Sequence, residues 1–207
     1  MSAQLNIGVL ALQGDWRKHF AILEECDVTP VEVRDPSDLS SIDGLIIPGG
    51  ESTTMSMLIK SSGLEEPLAK MLKNDMPVFG TCAGMILLAS KVIDGRSDQI
   101  RFGVLDAVVR RNGFGRQVAS FEEEVDIEMI GPDPMRAVFI RAPLVEGTGP
   151  NTQILARCAS QIPVVLRQRN ALGCSFHPEL TEDFRLHKMF ISIAQDSNNV
   201  VLPFSKD

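Results

Sequence analysis

Short apolar runs alternate with stretches of helical periodicity over the first half of the chain. Leu5-Asn-Ile-Gly-Val-Leu-Ala-Leu12 is mostly apolar, as expected of a strand covered on both faces. Gln13-Gly-Asp15 reads as a turn. Trp16, Phe20 and Leu23 then recur at the i, i+4, i+7 spacing of one helix face. Residues 30–33 read as a second short strand, Asp35-Pro36-Ser-Asp38 as a loop, and residues 44–47 as a third strand that stops at Pro48-Gly49-Gly50. Met55, Leu58 and Ile59 mark a helix with Ser52 or Thr53 as its N-cap and Gly63 as its end. Leu64, Leu68, Met71 and Leu72 mark another, and Pro77 opens a fourth strand. This alternation predicts an α/β fold with a mostly parallel, doubly wound central sheet and flanking helices.

The second half changes character. Residues 104–110 read as a strand. Residues 122–129 alternate strictly, with Val125, Ile127 and Met129 on one face, which predicts a half-exposed antiparallel strand. Further short strands fit residues 137–140, 154–157, 164–169 and 171–176, so the sheet gains an antiparallel extension. The last helix is predicted over 182–195, with Phe184, Met189, Phe190 and Ile193 available to its buried side. No repeat or low-complexity linker interrupts the pattern, and residues 1–207 read as one domain.

Composition narrows the class. Hydrophobic residues make up 44% and charged residues 23%, which is globular. A net charge of −7 argues against nucleic acid or an anionic membrane as the main partner. No apolar run approaches the ~20 residues that span a bilayer, and the N-terminus reads as a strand and not a signal peptide. Cys26, Cys82, Cys158 and Cys174 are scattered with no paired spacing, which fits free thiols in a reducing cytoplasm and no structural zinc.

The chemistry concentrates in Pro77-Val-Phe-Gly-Thr-Cys-Ala-Gly-Met-Ile-Leu-Leu-Ala89, a strand, a tight Gly-x-Cys-x-Gly turn and a helix. A strand turning sharply into a helix lifts one side chain out of the sheet, the geometry of a nucleophile elbow, here carrying the thiol of Cys82. Gly80 and Gly84 leave room for close strand–helix approach. The helix N-terminus favours thiolate, and the amide of Ala83 points where an oxyanion would form. The pattern alone does not separate a catalytic cysteine from a packed one. A second cluster, His177-Pro178-Glu179, supplies what a cysteine hydrolase needs: a histidine to move the proton, with Glu179 to orient it. Pro178 biases His177 towards an extended conformation, which would set residues i and i+2 on one side. His19 and His187 fall within predicted helices and read as packing or surface residues. Pro48-Gly-Gly-Glu-Ser-Thr-Thr54 offers bare amides at a helix start, but by itself a plain strand–helix connection is the favoured reading. Met55, Met57 and Met85 lie near the proposed site and would suit an apolar path to it, although helical spacing favours core packing.

Taken together, Pro48-Gly-Gly-Glu-Ser-Thr-Thr-Met55, Phe79-Gly-Thr-Cys-Ala-Gly84 and Cys174-Ser-Phe-His-Pro-Glu-Leu-Thr-Glu182 stand in the order and spacing of class I (triad) glutamine amidotransferases. Leu10-Ala-Leu-Gln-Gly14, Arg111-Asn-Gly-Phe-Gly-Arg-Gln117 and Phe139-Ile-Arg-Ala-Pro143 narrow the likeness. The chain resembles the glutaminase subunits of pyridoxal 5′-phosphate synthases over almost its whole length. The resemblance implies a flavodoxin-like sheet and hydrolysis of L-glutamine to L-glutamate and ammonia through a Cys thioester. It also implies delivery of the ammonia to a synthase subunit in a cytoplasmic hetero-oligomer, with no metal or cofactor on this chain. It makes Cys82 the nucleophile, His177 the acid and base, and Glu179 its orienting carboxylate. Gly50, Glu51 and Ser52 would line the glutamine site, in part through backbone groups, and Arg111, Ile140 and Arg141 match other glutamine-contacting positions. Gly50 and Ala83 would form the oxyanion hole, and Gln13 matches a loop residue implicated in arranging it when the partner docks.

Two departures stand out: residues 94–101 look longer than usual, and Gly113 replaces a larger small residue. The triad does not encode the ammonia acceptor, so a glutaminase for another acceptor, such as imidazole glycerol phosphate synthase, stays open. A peptidase-like cysteine hydrolase and a catalytically silent regulatory subunit are the other readings, although the silent subunit would be favoured by a missing Cys, His or Glu and all three are present.

Overall fold

Apolar four- and five-residue runs followed by amphipathic helices leave the first half one economical arrangement, strands side by side with helices on both faces. In the computed structural model, which describes residues 4–111, 113 and 120–199, this half contains β1 (Asn6–Leu10), α1 (Trp16–Glu24), β2 (Thr29–Val33), β3 (Gly44–Ile47), α2 (Ser52–Ser61), α3 (Glu65–Lys73), β4 (Val78–Thr81) and α4 (Ala83–Leu88). The second half adds β5 (Ala89–Ile93), β6 (Leu105–Arg110), β7 (Ser120–Val125), β8 (Met135–Ile140), β9 (Leu144–Thr148), β10 (Gln153–Arg157), β11 (Pro163–Gln168), β12 (Ala171–Cys174) and α5 (Arg185–Asn199).

The central sheet has the order β10-β11-β12-β4-β3-β1-β2. Its β2, β1, β3, β4 and β12 are parallel, while β11 and β10 extend it antiparallel. The parallel part has the flavodoxin order, with its switch point between β1 and β3, where open α/β sheets bind ligands at the carboxyl ends of their strands. Two apolar cores flank it. Residues of α1 and α5 pack on one face together with the β7–β8 hairpin, and residues of α2, α3 and α4 pack on the other with β5, β6 and β9. The predicted fold class is thus observed.

Several local expectations are corrected. The N-cap of α2 is neither Ser52 nor Thr53 but Glu51, whose carboxylate accepts from the amides of Thr53 and Thr54. The alternating strand is Ser120–Val125 and does not reach 129. A 3-10 turn, Glu128–Ile130, follows, and Met129 is exposed instead of sharing the buried face of Val125 and Ile127. β5 and β9 have no counterpart in the apolar pattern of the sequence. The last helix starts at Arg185, because Asp183 accepts from the Arg185 amide and pairs with its guanidinium ahead of the first turn. Residues 94–101 lie along α2, where Ser56 Oγ accepts from the Ile100 amide at 2.8 Å. A side chain at Gly113 would meet Leu144 Cβ at 2.1 Å, which accounts for the glycine there. Of the Arg111–Gln117 motif, residues 112 and 114–117 lie outside the described residues.

Candidate active site

Four loops meet at the carboxyl ends of β1, β3, β4 and β12. The chain leaves β4 through Cys82, whose backbone adopts φ 48° and ψ −103°. A non-glycine residue in this region is strained, and the strain persists because both sides are fixed. The Cys82 amide donates to Cys174 O at 2.8 Å, and α4 begins at once. The two elbow glycines are needed for close approach. A Cβ on Gly84 would lie 2.0 Å from Ile47 O, and one on Gly80 would lie 2.6 Å from the Gly84 carbonyl carbon. The Ala83 amide is the first of α4, so it has no intrahelical acceptor.

His177 leaves β12 and is latched to the neighbouring hairpin, its amide donating to Val138 O at 2.9 Å. Residues Pro178–Leu180 form a 3-10 turn, so the extended geometry expected beyond His177 does not hold. The turn still brings Glu179 Oε1 to 2.7 Å from His177 Nδ1. Cys82 lies against the ring as well, and its Sγ also reaches Ile140 O at 3.8 Å. Burial alone would lower the His177 pKa; its contacts with Cys82 and Glu179 outweigh that and push it up to about 10. Burial would raise Glu179, but the facing rings of His19 and His177 offset this and leave it below the ordinary carboxylate value.

Cys82 and His177 open into a cavity of about 210 Å³. That is smaller than the ~300–1,000 Å³ of drug-sized sites and suits a small polar substrate. Its lining includes Gln13, Gly50, Glu51, Ser52, Ala83, Arg111, Ile140 and Arg141. Every residue expected at the site therefore faces one space, except Glu179, which is buried behind His177. Ile86 is a further lining residue that no motif indicated. So is the role of Gly49: a Cβ there would lie 2.3 Å from His177 Cε1, so this glycine is the floor on which the imidazole rests.

The loop after β3 is held from two directions. Gln13 Oε1 accepts from the Glu51 amide at 3.0 Å, and a Cβ on Gly50 would lie 2.3 Å from the same oxygen. The Glu51 carboxylate caps α2 and also binds Arg111 Nη2 at 2.7 Å, while Arg111 Nη1 donates to Thr53 Oγ1 at 3.0 Å. Burial would raise Glu51, but hydrogen bonds from Thr54 and Thr53 bring it down to about 2. Its side chain is therefore committed to the loop, and only its backbone is left to face a ligand. Ser52 Oγ is buried and has no hydrogen-bond partner. Arg141 is exposed and sits at φ 44°, a second strained residue at the rim. Met55 and Met85 are core side chains, whereas Met57 is exposed.

A match to the SNO glutamine amidotransferase family model spans residues 9–196. The chain belongs to this family. As a family member it is a glutamine amidotransferase, in keeping with the resemblance of its motifs. It is 52% identical over 189 residues to the pyridoxal 5′-phosphate synthase subunit PdxT of Streptomyces avermitilis, covering 91% of this chain and 94% of that protein. It is 51% identical over 194 residues to the subunit of the same name from Frankia alni, covering 94% and 97%. Among solved structures, a crystal structure of a glutamine amidotransferase superposes with a TM-score of 0.85 at 45% identity, over 91% of this chain and 98% of that one. Among the described residues, no helix of this family member is long and apolar enough to cross a membrane.

Proposed function

We propose that this glutamine amidotransferase is the glutaminase subunit of a pyridoxal 5′-phosphate synthase, a single glutaminase domain over residues 1–207. The observation that carries the chemistry is the connected chain Cys82–His177–Glu179 opening on one small cavity. The observation that carries the acceptor is identity above one half to synthase subunits over nearly their full length.

Cys82 attacks the side-chain amide carbon of L-glutamine. The developing oxyanion is received by the backbone amides of Ala83 and Gly50, the second held in place by Gln13. One such donor contributes about 3–4 kcal/mol to lowering the barrier. His177 holds the proton given up by Cys82, which attacks as the thiolate, and is the acid for the departing ammonia. The part of its raised affinity that comes from Cys82 disappears once the sulfur is acylated, so the ring releases its proton more readily at that point. It then serves as the base for water, which hydrolyses the thioester and frees L-glutamate. Glu179 keeps Nδ1 of the ring engaged throughout, so the other nitrogen stays on the reacting atoms.

Substrate recognition divides between a fixed part and an available part. Arg111 is neutralised by Glu51 and supports the loop. Arg141 is the cation left to meet the α-carboxylate of glutamine, and the unpartnered Ser52 hydroxyl and the Ile140 carbonyl are the nearby polar groups. The ammonia passes to a separate synthase subunit in a cytoplasmic hetero-oligomer, and the net charge of −7 fits a protein partner and not nucleic acid. Glutamate release from L-glutamine, measured with and without a pyridoxal 5′-phosphate synthase subunit, tests this reading. Strong stimulation by that subunit is expected. Equal turnover in both, or stimulation only by the synthase partner of another pathway, would overturn the assignment of the acceptor.

A further inference from the structure

Behind the triad the structure continues inward. Glu179 Oε2 has no hydrogen bond, but His19 Nε2 of α1 lies 3.4 Å from it. His19 Nδ1 is in turn 2.9 Å from His187 Nε2 of α5. Thr81 Oγ1, at the end of β4, is 3.4 Å from the same His19 Nε2. His19, His187 and Thr81 are all fully buried, and His187 stands edge-on to Phe79 with ring centroids 5.7 Å apart. Among the described residues these groups are not arranged to hold a metal ion. Packing does not require a histidine in such a place, and two in contact within an apolar layer call for a reason.

The contacts allow two proton arrangements for this chain of rings. Glu179 is ionised and can only accept. Burial lowers His19 despite the facing Glu179, and burial together with His19 brings His187 down to about 3, so both rings are neutral and each carries one N–H. The charged groups facing His19 are Glu179 and His177 from the turn and Asp15 at the start of its own helix. If His19 carries its proton on Nε2, that N–H faces Glu179 Oε2 at 3.4 Å and its Nδ1 accepts from His187 Nε2–H. The leftover atom is then His187 Nδ1, a bare acceptor, and that atom has no partner. In the opposite arrangement His187 Nδ1–H is a buried donor with no acceptor. His19 Nε2 would then accept from the Thr81 hydroxyl, and Glu179 Oε2, a buried carboxylate oxygen, would face a lone pair with no N–H directed at it, which is the costlier outcome.

We propose that His19 is a positioning residue of the reaction: its Nε2–H, oriented by His187, fixes the far oxygen of Glu179 so that the near oxygen stays on His177. This rests on the proposed glutaminase mechanism. A neutral donor suits the task better than a cation. Lysine or arginine at this position would form an ion pair with Glu179 and compete with His177 for its charge, whereas an N–H dipole holds the carboxylate and leaves its charge available to the imidazole.

The test begins with nitrogen-15 NMR of the histidine side chains in the unaltered protein near neutral pH. Both buried rings should be neutral, each with its proton on Nε2. A proton on His19 Nδ1, or a doubly protonated His19, would overturn the proposal without any variant being made. Turnover in the presence of the synthase subunit is then compared for His19→Phe and His19→Gln, per folded molecule. The phenylalanine variant should lose about 10- to 100-fold in kcat with KM for glutamine unchanged, and the His177 Nδ1–H resonance should move or broaden. The glutamine variant, which restores an N–H donor, should recover much of both. Undiminished kcat in folded His19→Phe, or no recovery with glutamine, would refute the role. An unaltered protein with the expected tautomers but no glutaminase activity would sink the functional reading and leave the hydrogen-bond assignment standing.

Discussion

On its cavity side, His177 meets loops that follow four different strands and open to solvent, whereas behind it Glu179, His19 and His187 form a layer closed to water. Among the described residues the front is made of backbone amides, strained residues and one exposed cation, the features through which the proposed mechanism binds and turns over its ligand. The back is made of neutral rings and hydrophobic packing, with the Glu179 carboxylate bridging the two. In the proposed mechanism the front determines what reacts, and the back determines how firmly the proton-moving group is held. The two sides should therefore respond differently to substitution, and that difference is measurable.

Cys82→Ala removes the group on which the front depends. Glutamine hydrolysis should fall to background while the circular dichroism spectrum is unchanged, and retained turnover would remove Cys82 as nucleophile. Gly49→Ala should be nearly as severe, since the added methyl would lie 2.3 Å from His177 Cε1. The ring must move, and a loss of ~10²-fold or more in kcat is expected from a displacement of about 1 Å. Near-normal kinetics in that variant would show that the imidazole has room to adapt. Arg141→Ala should raise the glutamine KM by about 10- to 100-fold, the equivalent of a lost charged hydrogen bond of ~1.5–3 kcal/mol, with a smaller change in kcat. An unchanged KM would shift carboxylate recognition to another group.

The pH dependence separates the two sides by sign. His177 is raised to about 10 in the folded protein, so its contribution to stability is fully present below its unfolded value near 6.5 and is lost as pH rises through 10. His187 is lowered to about 3, so the unfolded chain takes up a proton that the folded one refuses, and stability is lost as pH falls below 6.5. Denaturant titrations from pH 4 to 10 should show both limbs. His187→Leu should flatten the acid limb and Cys82→Ala the alkaline one; the reverse pairing would contradict the assignment. The smallest effect is expected at Glu51→Ala, which removes the cap of α2 at a cost of about 1 kcal/mol, read as a shift in the midpoint of urea unfolding.

How much of this was legible in the sequence follows the same division. The parallel half was readable because strands covered on both faces give continuous apolar runs, and the elbow and the His177 loop carry residue types that few structural needs explain. β5 was not readable because it follows α4 with no intervening turn residue, and its exposed Ser90 and Lys91 break the apolar pattern. The cap of α2 was missed because serine and threonine are the commoner caps, and Glu51 wins only through its reach to two amides and to Arg111. His19 and His187 lie 168 positions apart, so nothing local indicated their contact. A histidine on the buried stripe of a helix, between Trp16 and Leu23 in α1 and among Leu186, Phe190 and Ile191 in α5, was the available signal.

The central claim is that glutamine is opened by the sulfur of Cys82. Mass spectrometry of the protein quenched during turnover, together with the synthase subunit, tests it most directly. The account predicts a γ-glutamyl thioester on the peptide that carries Cys82, accumulating and decaying with glutamine and absent from Cys82→Ala. Sustained glutamate release with no adduct on that peptide, or an adduct on Cys174 in its place, would contradict it.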